Sequence, residues 1–281
     1  MFKDILLCKD GSTGADVAAD YAVWLAGKSS ARIHALHVTD IRLLEGPWLT
    51  DLAGAIGAQA YAGLTPQLEQ IQREKADTIL AAVVKKCESH GIPCEVTHET
   101  GTLVPQMLAH EHRADLVVLG QHGEHASWSG GMLGSSVERV VRASIKPALV
   151  TPDSFRPIRR ILLAYDGSAG SQKALQAVKE IAPTLEAEVT LITACHRDTE
   201  ESASNILREA QQELTVSQIK VHAQLAHGDA EVEILQWALE AETDLIVMGA
   251  YGHTRIREFV LGSTTAQVIR KATMPVLLAR S

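Results

Sequence analysis

Asp10-Gly11-Ser12 and Asp166-Gly167-Ser168 fall at the same place in two copies of one pattern, ILLCKDGSTGADVAADYAVWLA from Ile5 and ILLAYDGSAGSQKALQAVKEIA from Ile161. The offset of 156 residues persists into the next apolar run, where ARIHALHV (31–38) lies over AEVTLITA (187–194). Further on, RADLVVLGQHG (113–123) lies over ETDLIVMGAYG (242–252). GSSVERVVRASIKPALV then matches GSTTAQVIRKATMPVLL, with Pro147 over Pro275 at an offset of 128. The falling offset gives the first copy about 28 more residues, nearly all between its second and third strands. A duplication of this period in a 281-residue chain means two homologous domains rather than a solenoid of short stacked units. The expected domains are 1–151 and 158–281, joined by TPDSFRP (151–157), whose prolines end a strand and stiffen the link.

Within each copy the order reads strand, helix, strand, helix, strand, helix, strand, loop, helix, strand. The strands are short unbroken apolar runs such as ILLC, LVVL and LIVM. Apolar residues without alternation mark strands buried on both faces, as in a parallel sheet covered by helices. The expected fold is therefore α/β, two tandem doubly wound domains. Ligands of such sheets bind beyond the carboxyl ends of the strands, where strand order reverses. The exits of strand one (Asp10, Asp166) and strand four (Gly120, Gly249) lie on that edge. The last runs, PALV and PVLL, are candidate edges along which the domains pair.

GAYGHTRIREFVLGSTT (249–265) carries the strongest chemical signal. It follows the strand DLIVM and precedes the helical AQVIRKA. A glycine-hinged turn lets backbone approach a ligand closely, and the first N–H groups of the following helix point outward with the positive end of its dipole. Strand, glycine loop and helix start together are the ingredients of an anion site. A glycine turn with a Ser/Thr cap is the bland account of the same residues.

Composition excludes several classes. A net charge of −8 gives no electrostatic support to a nucleic-acid or anionic-membrane partner. No window approaches the roughly twenty apolar residues of a membrane span. The four cysteines, Cys8, Cys87, Cys94 and Cys195, form no C-x-x-C pair and read as reduced structural thiols of a cytoplasmic protein.

These motifs resemble the universal stress protein family in its tandem two-domain form. The carriers are the strand-one ending Asp-Gly-Ser and the motif Gly-x-x-Gly-(nine)-Gly-Ser/Thr. The second copy matches the motif at Gly249, Gly252, Gly262 and Ser263. The resemblance implies a five-stranded parallel sheet with helices on both faces in each domain, ATP at the strand-four loop, and dimer-like pairing of domains. It also implies a stress-responsive regulator rather than a dedicated catalyst. Carried over by position, Asp166 lies near the nucleoside, and Ala164 and Ala194 lie beside the base. Met248 and Gly249 contact ribose and phosphates, and Gly252, Gly262, Ser263 and Thr264 cradle the phosphates. Mg²⁺ is expected to ride in with the nucleotide on Ser263, Thr264 or Asp166 oxygens. For Asp166 the competing account is a helix cap.

The first copy departs from the pattern. Ten residues, not nine, separate Gly123 from Gly134, and the loop adds Gly130, Gly131 and Trp128. The insertion at about 42–66 is expected to form a mobile flap near the carboxyl edge of the first sheet. Trp48 within it, with Trp128, is expected to line a modified, non-ATP surface, with two ordinary packing tryptophans as the alternative. The run AVWLAGKS (22–29) fits a relaxed phosphate-loop expression but ends a helix instead of linking a strand to one, so it is rejected. His34 and His37, three apart on a strand, face opposite sides and make no metal pair. His122 and His125 sit on a loop and read as surface groups, and Arg255 and Arg257 read equally as contacts for a triphosphate or as a solvated loop face. No nucleophile elbow, H-E-x-x-H or positioned base for a γ-phosphate is present. The leading expectation is an ATP-binding regulatory protein that signals through conformation or an unidentified protein partner, with a homodimer as a further form. The alternatives are a weak ATPase or nucleotidyl transferase, and a nucleotide-free interaction scaffold.

Overall fold

The computed structural model describes residues 2–41, 58–123, 135–250 and 261–280. In chain order the first half has β1 (Asp4–Cys8), α1 (Thr13–Ser29), β2 (Arg32–Asp40), α2 (Ala58–Ser89), β3 (Cys94–Gly101), α3 (Leu103–Glu111), β4 (Leu116–Gly120), α4 (Ser135–Ala143) and β5 (Ala148–Thr151). The second has β6 (Arg160–Ala164), α5 (Ala169–Leu185), β7 (Glu188–Cys195), a 3₁₀ turn (Arg197–Thr199), α6 (Glu200–Val216), β8 (Val221–His227), α7 (Ala230–Glu240), β9 (Leu245–Gly249), α8 (Ser263–Lys271) and β10 (Val276–Ala279).

Unbroken apolar strands follow from what lies above and below them. Ile5 and Leu7 of β1 enter a core against α1 and α2, while Leu6 between them enters a second core against α3 and α4. The same division separates Ile161 and Leu163 from Leu162 in β6. Every other residue meets a different helical layer, so neither face tolerates polar residues. The α1 face toward the sheet is built from Ala15, Ala18, Ala19, Ala22 and Ala26, whose small side chains let the helix lie close.

The strands form one sheet in the order β3-β2-β1-β4-β5-β10-β9-β6-β7-β8. Neighbours within each half are parallel, giving the expected five strands apiece. The halves join where β5 and β10 pair antiparallel, with Val276 opposite Val150 and Leu278 opposite Ala148. Those are the PALV and PVLL runs. Intramolecular pairing leaves β3 and β8 as the edges of the sheet.

Equivalent polar contacts mark the duplication. Asp115 Oδ2 accepts N–H bonds from Lys3 and Asp4 at 2.9 and 3.2 Å, and Asp244 Oδ2 accepts from Arg159 and Arg160 at 3.0 Å each. Each carboxylate ties the start of the first strand to the start of the fourth. The link between halves is anchored as well as stiff: the Arg156 N–H donates to the Tyr21 hydroxyl at 3.1 Å, and the Phe155 ring stands edge-on to Tyr21 at 4.8 Å.

One expectation needs correction. Residues 58–66, taken from sequence as part of a flap, begin α2, a 32-residue helix that contains Pro66 and is far longer than its 17-residue counterpart α6. Much of the first half's extra length therefore extends a helix. Trp48 and the rest of the insertion before residue 58 lie outside the described residues, as does Trp128.

Candidate functional site

At β6 the strand order reverses: the chain leaves toward β7 and β8 on one side and returns to β9 and β10 on the other. Helices leaving the carboxyl ends of strands flanking such a point diverge and open a crevice. Leu163 is in register with Val247, which sets Ala164 beside Met248 at the rim. Ala164 and Met248 are buried, whereas Asp166 and Gly249 are partly open. Ala194, near the end of β7 and opposite Ala226 of β8, lies on the far side of β6. Five sequence-predicted residues, Ala164, Asp166, Ala194, Met248 and Gly249, thus share one edge.

Gly249 is required there by a close approach. A Cβ on it would stand 2.6 Å from the Gly170 carbonyl carbon and 2.9 Å from the Ser171 nitrogen. The start of α5 therefore rests directly on the end of β9. The turn before α5 is shaped by two side chains: Asp166 Oδ1 accepts the Ser168 N–H at 2.9 Å, and Ser168 Oγ accepts the Ser171 N–H at 3.2 Å. The helix cap is Ser168, and Asp166 forms the turn leading into it. Beneath them, the Thr193 hydroxyl donates to the Tyr165 carbonyl at 2.9 Å and fixes β7 against this turn.

Across the crevice α8 begins at Ser263, with Gly262 as its extended N-cap (φ −59°, ψ 144°). Gly262 has no side chain with which to cap the leading amides, Ser263 is exposed, and no acidic residue occupies the first turn of α8. Free N–H groups at the positive end of a helix dipole are the chemistry of an anion cradle. The buried Thr265 hydroxyl donates to the Gly249 carbonyl at 3.2 Å, locking the helix start to the end of β9. Gly252, Arg255 and Arg257 lie outside the described residues.

Sequence reasoning missed Glu231. It stands in the first turn of α7, where its carboxylate accepts from the Thr264 hydroxyl at 3.4 Å and from Gln267 Nε2 at 3.0 Å. A negative group beside the cradle favours an anion that arrives with a cation over a bare polyphosphate. Nothing in the run GDAEVEI announces this, because the contact exists only once α7 and α8 lie side by side. Among the described residues no group of three or more His, Cys, Asp or Glu side chains is placed to hold a metal ion on its own. The chain's oxygens at this edge, Asp166, Glu231, Ser263 and Thr264, are hard donors suited to Mg²⁺ accompanying a phosphate ligand.

The first half has the same frame with a different edge. A Cβ on Gly120 would stand 2.7 Å from the Gly14 carbonyl carbon, repeating the Gly249 approach. The chain after β4 turns back onto the start of α1. The Ser12 hydroxyl lies 3.3 Å from the His122 carbonyl, and a Cβ on Gly123 would stand 2.8 Å from Asp10 Oδ2. His122 Nδ1 lies 3.1 Å from both carboxylate oxygens of Asp153. Cys8 replaces Ala164, and burial pushes its thiol up to about 12, with Asp10 and Glu111 adding to the rise. Lys9 replaces Tyr165 and is buried, its ammonium 2.9 Å from Asp16. His37 replaces Thr193 and keeps its structural task, Nδ1 donating to the Lys9 carbonyl at 2.7 Å. Burial lowers the His37 pKa more than that bond raises it. His34, on the opposite face, meets His110 at 5.1 Å between rings, whereas His37 meets His98 at 5.6 Å, so the two faces expected of these histidines are observed.

Gln121 is the second residue that sequence reasoning passed over, although its alignment with Ala250 was visible. Its buried amide donates to the carbonyls of Ile269 at 2.6 Å and Arg270 at 3.0 Å, at the C-terminal end of α8. The first half therefore satisfies the last carbonyls of the helix whose first amides form the cradle in the second.

Comparison with known proteins agrees with this duplication. The profile of the Universal stress protein family matches the chain twice, over residues 1–152 and 157–280. A universal stress protein of Synechocystis sp. is 37% identical over 286 residues, covering 99% of this chain and 100% of that one. One of Mycolicibacterium smegmatis is 24% identical over 98% of this chain and 96% of the relative. Among solved structures, a universal stress protein from Archaeoglobus fulgidus superposes with a TM-score of 0.75 at 24% identity, covering 99% of this chain and 96% of that one, a likeness of fold.

Proposed function

The chain belongs to the universal stress protein family, and from that premise we propose that it is an ATP-binding regulatory protein whose nucleotide sits in the crevice between β6 and β9. In this reading Ala164 and Ala194 flank the base, Asp166 faces the nucleoside, and Met248 and Gly249 meet the ribose and phosphates. Gly252, Gly262, Ser263 and Thr264 hold the phosphates. Mg²⁺ accompanies the nucleotide and neutralises the charge that Glu231 opposes.

The observation that carries the proposal is the start of α8, which opens on side-chain-less Gly262 and is tied through Thr265 to the glycine that ends β9. A structural turn alone would be served by a Ser, Thr or Asp cap at residue 262. Binding at the cradle shifts the population of a surface read by a protein partner in the cytoplasm. The two units, proposed as 1–151 and 158–281, act as an internal pair, with a homodimer as a further assembly. The Thr264–Glu231 contact, which already engages one cradle hydroxyl, favours a second reading: a nucleotide-free scaffold.

Two measurements separate these readings: mass analysis of small molecules released from the denatured protein, and titration of ATP with Mg²⁺ against the wild type and Gly262→Val. The backbone at residue 262 is extended and open to any residue, so the variant adds bulk at the cradle without backbone strain. Saturable binding by the wild type and its loss in the variant support the proposal. No released nucleotide, together with identical titrations of both proteins, refutes it.

A further inference from the structure

Cys87, in the last turn of α2, and Cys94, the first residue of β3, flank a turn that folds the chain back on itself. The Ile92 N–H donates to the Cys87 carbonyl at 2.9 Å. The second half repeats the turn, the Ile219 N–H donating to the Leu214 carbonyl at 3.1 Å. By this alignment Cys87 stands where Leu214 does and Cys94 where Val221 does. Leu214 is fully buried, and Val221 packs against the same apolar cluster. The fold thus assigns both positions to one patch of core, and the first half fills both with sulfur. Cys87 is fully buried in that cluster, and Cys94 packs against it while keeping a partly open side. The Cys94 thiol donates to its neighbouring Glu95 carbonyl at 3.7 Å, and across the turn the two thiols act on each other, Cys94 lowering the Cys87 pKa and Cys87 raising that of Cys94.

We propose that Cys87 and Cys94 are a thiol-oxidation site of the first half, closing to an intramolecular disulfide when the protein meets a hydroperoxide. One sulfur takes an oxygen from the peroxide; the O–O bond breaks, and the leaving hydroxide becomes water with that thiol's proton. The second sulfur then attacks the first, the S–S bond forms, the S–O bond breaks, and the departing oxygen leaves as a second water with the second thiol's proton. Two thiols are oxidised, one peroxide is reduced, and no other reactant is needed. The turn that brings both cysteines to one cluster eases this chemistry. The Cys87 pKa is shifted down and that of Cys94 up, which makes Cys87 the more acidic thiol of the pair.

The remaining cysteines lack this arrangement. Cys8 and Cys195 lie in different halves, and burial raises both thiols, Cys8 to about 12. The bond would staple the end of α2 to the start of β3 across the turn at residues 90–93. α2 also lays Ile79 over the strand-one turn, where a Cβ on Gly11 would meet its Cδ1 at 2.8 Å. Oxidation therefore tightens the helix that roofs the carboxyl edge of the first half.

The test is titration of the full-length chain with hydrogen peroxide, alkylation of the remaining thiols, and peptide mapping. The expected product links Cys87 to Cys94, is lighter by the two thiol hydrogens, and is reversed by dithiothreitol, while Cys8 and Cys195 stay alkylatable. Cys87→Ser and Cys94→Ser each abolish the link. The double variant Cys87→Leu/Cys94→Val, which copies the second half, folds with a wild-type melting curve and loses the response. Full alkylation of Cys87 and Cys94 after peroxide treatment would overturn the proposal, and so would separate sulfinic acids or links to other cysteines.

Discussion

Gly249→Ala tests the architecture of the site, and Gly120→Ala is its built-in duplicate. The new methyl at residue 249 would lie 2.6 Å from the Gly170 carbonyl carbon, 2.9 Å from the Ser171 nitrogen and 3.0 Å from the Gly170 Cα. Carbon atoms prefer separations of about 3.5–4.0 Å, so the end of β9 and the start of α5 must part by about 1 Å. The obstacle is backbone in a packed layer and cannot swing aside as a flexible side chain would. Overpacking of this kind costs about 1–3 kcal/mol, and the lack of any yielding atom places Gly249→Ala near about 3. Gly120→Ala meets the Gly14 carbonyl carbon at 2.7 Å and the Ala15 nitrogen at 3.1 Å, so its penalty is similar or slightly smaller. Thermal unfolding should show both variants melting about 5–10 °C lower. Gly27→Ala is the contrasting control: it lies inside α1, its nearest neighbour is Ile92 Cδ1 at 3.9 Å, and it should gain up to about 1 kcal/mol from helix propensity. Nucleotide affinity should fall in Gly249→Ala and hold in Gly27→Ala. A Gly249→Ala protein melting within a degree of wild type would refute the contact between β9 and α5 and the crevice built on it.

Glu231→Gln removes the negative charge beside Thr264, so ATP titrated without a divalent cation should bind about three- to tenfold tighter, with a smaller change when Mg²⁺ is present. Gln121→Leu leaves the Ile269 and Arg270 carbonyls without the side-chain donor that now serves them in a buried place, and denaturant unfolding should show a loss of about 1–3 kcal/mol. Acid sensitivity should trace partly to His37, whose folded pKa is lowered by burial while Lys75, His98 and Asp10 face it. The unfolded chain then binds the proton more readily, so stability falls as pH drops below about 6.5. His37→Asn, which keeps a donor for the Lys9 carbonyl, should lose less stability than wild type between neutral pH and pH 5, and parallel losses would count against the assignment. His34, lowered likewise by burial, remains in both proteins and sets the residual slope.

The layers and the site's edge were legible because their causes are local. A strand covered on both faces must be apolar at every position, and Ile161, Leu162 and Leu163 read that way before any contact is known. The duplication then aligned Asp10 with Asp166 and Gly120 with Gly249, placing both turns on the same edge. Contacts between elements distant in the chain were not legible. Glu231 reaches Thr264 only because α7 and α8 pack together, and no periodicity in either helix encodes that. The extra length of α2 was hidden because Ala- and Gly-rich sequence with Pro66 reads as loop, whereas the helix takes Pro66 within its long run. Cys87 and Cys94, seven apart with no motif spacing, became a pair only through the turn that returns the chain at Ile92.

The two halves differ where they would hold a ligand and agree where they hold themselves together. Asp115 and Asp244 bind the same two amides, and Gly120 and Gly249 admit the same helix start, because the sheet cannot close otherwise. At the edge, Cys8, Lys9, His37 and Val137 replace Ala164, Tyr165, Thr193 and Thr265, and Glu138 stands in the first turn of α4 where α8 has Ala266. Glu138 is ion-paired with Arg142 one turn on, whereas the carboxylate near the start of α8 comes from another helix, Glu231 of α7. α8 is only nine residues long, with the cradle at one end and the Gln121 amide at the other. A helix of that length spans about 13 Å, so the Gln121 contacts at Ile269 and Arg270 lie one short helix away from the cradle. The paired sheet holds the halves in register, and α8, with its start at the second half's edge and its end on Gln121 of the first, is the helix that belongs to both.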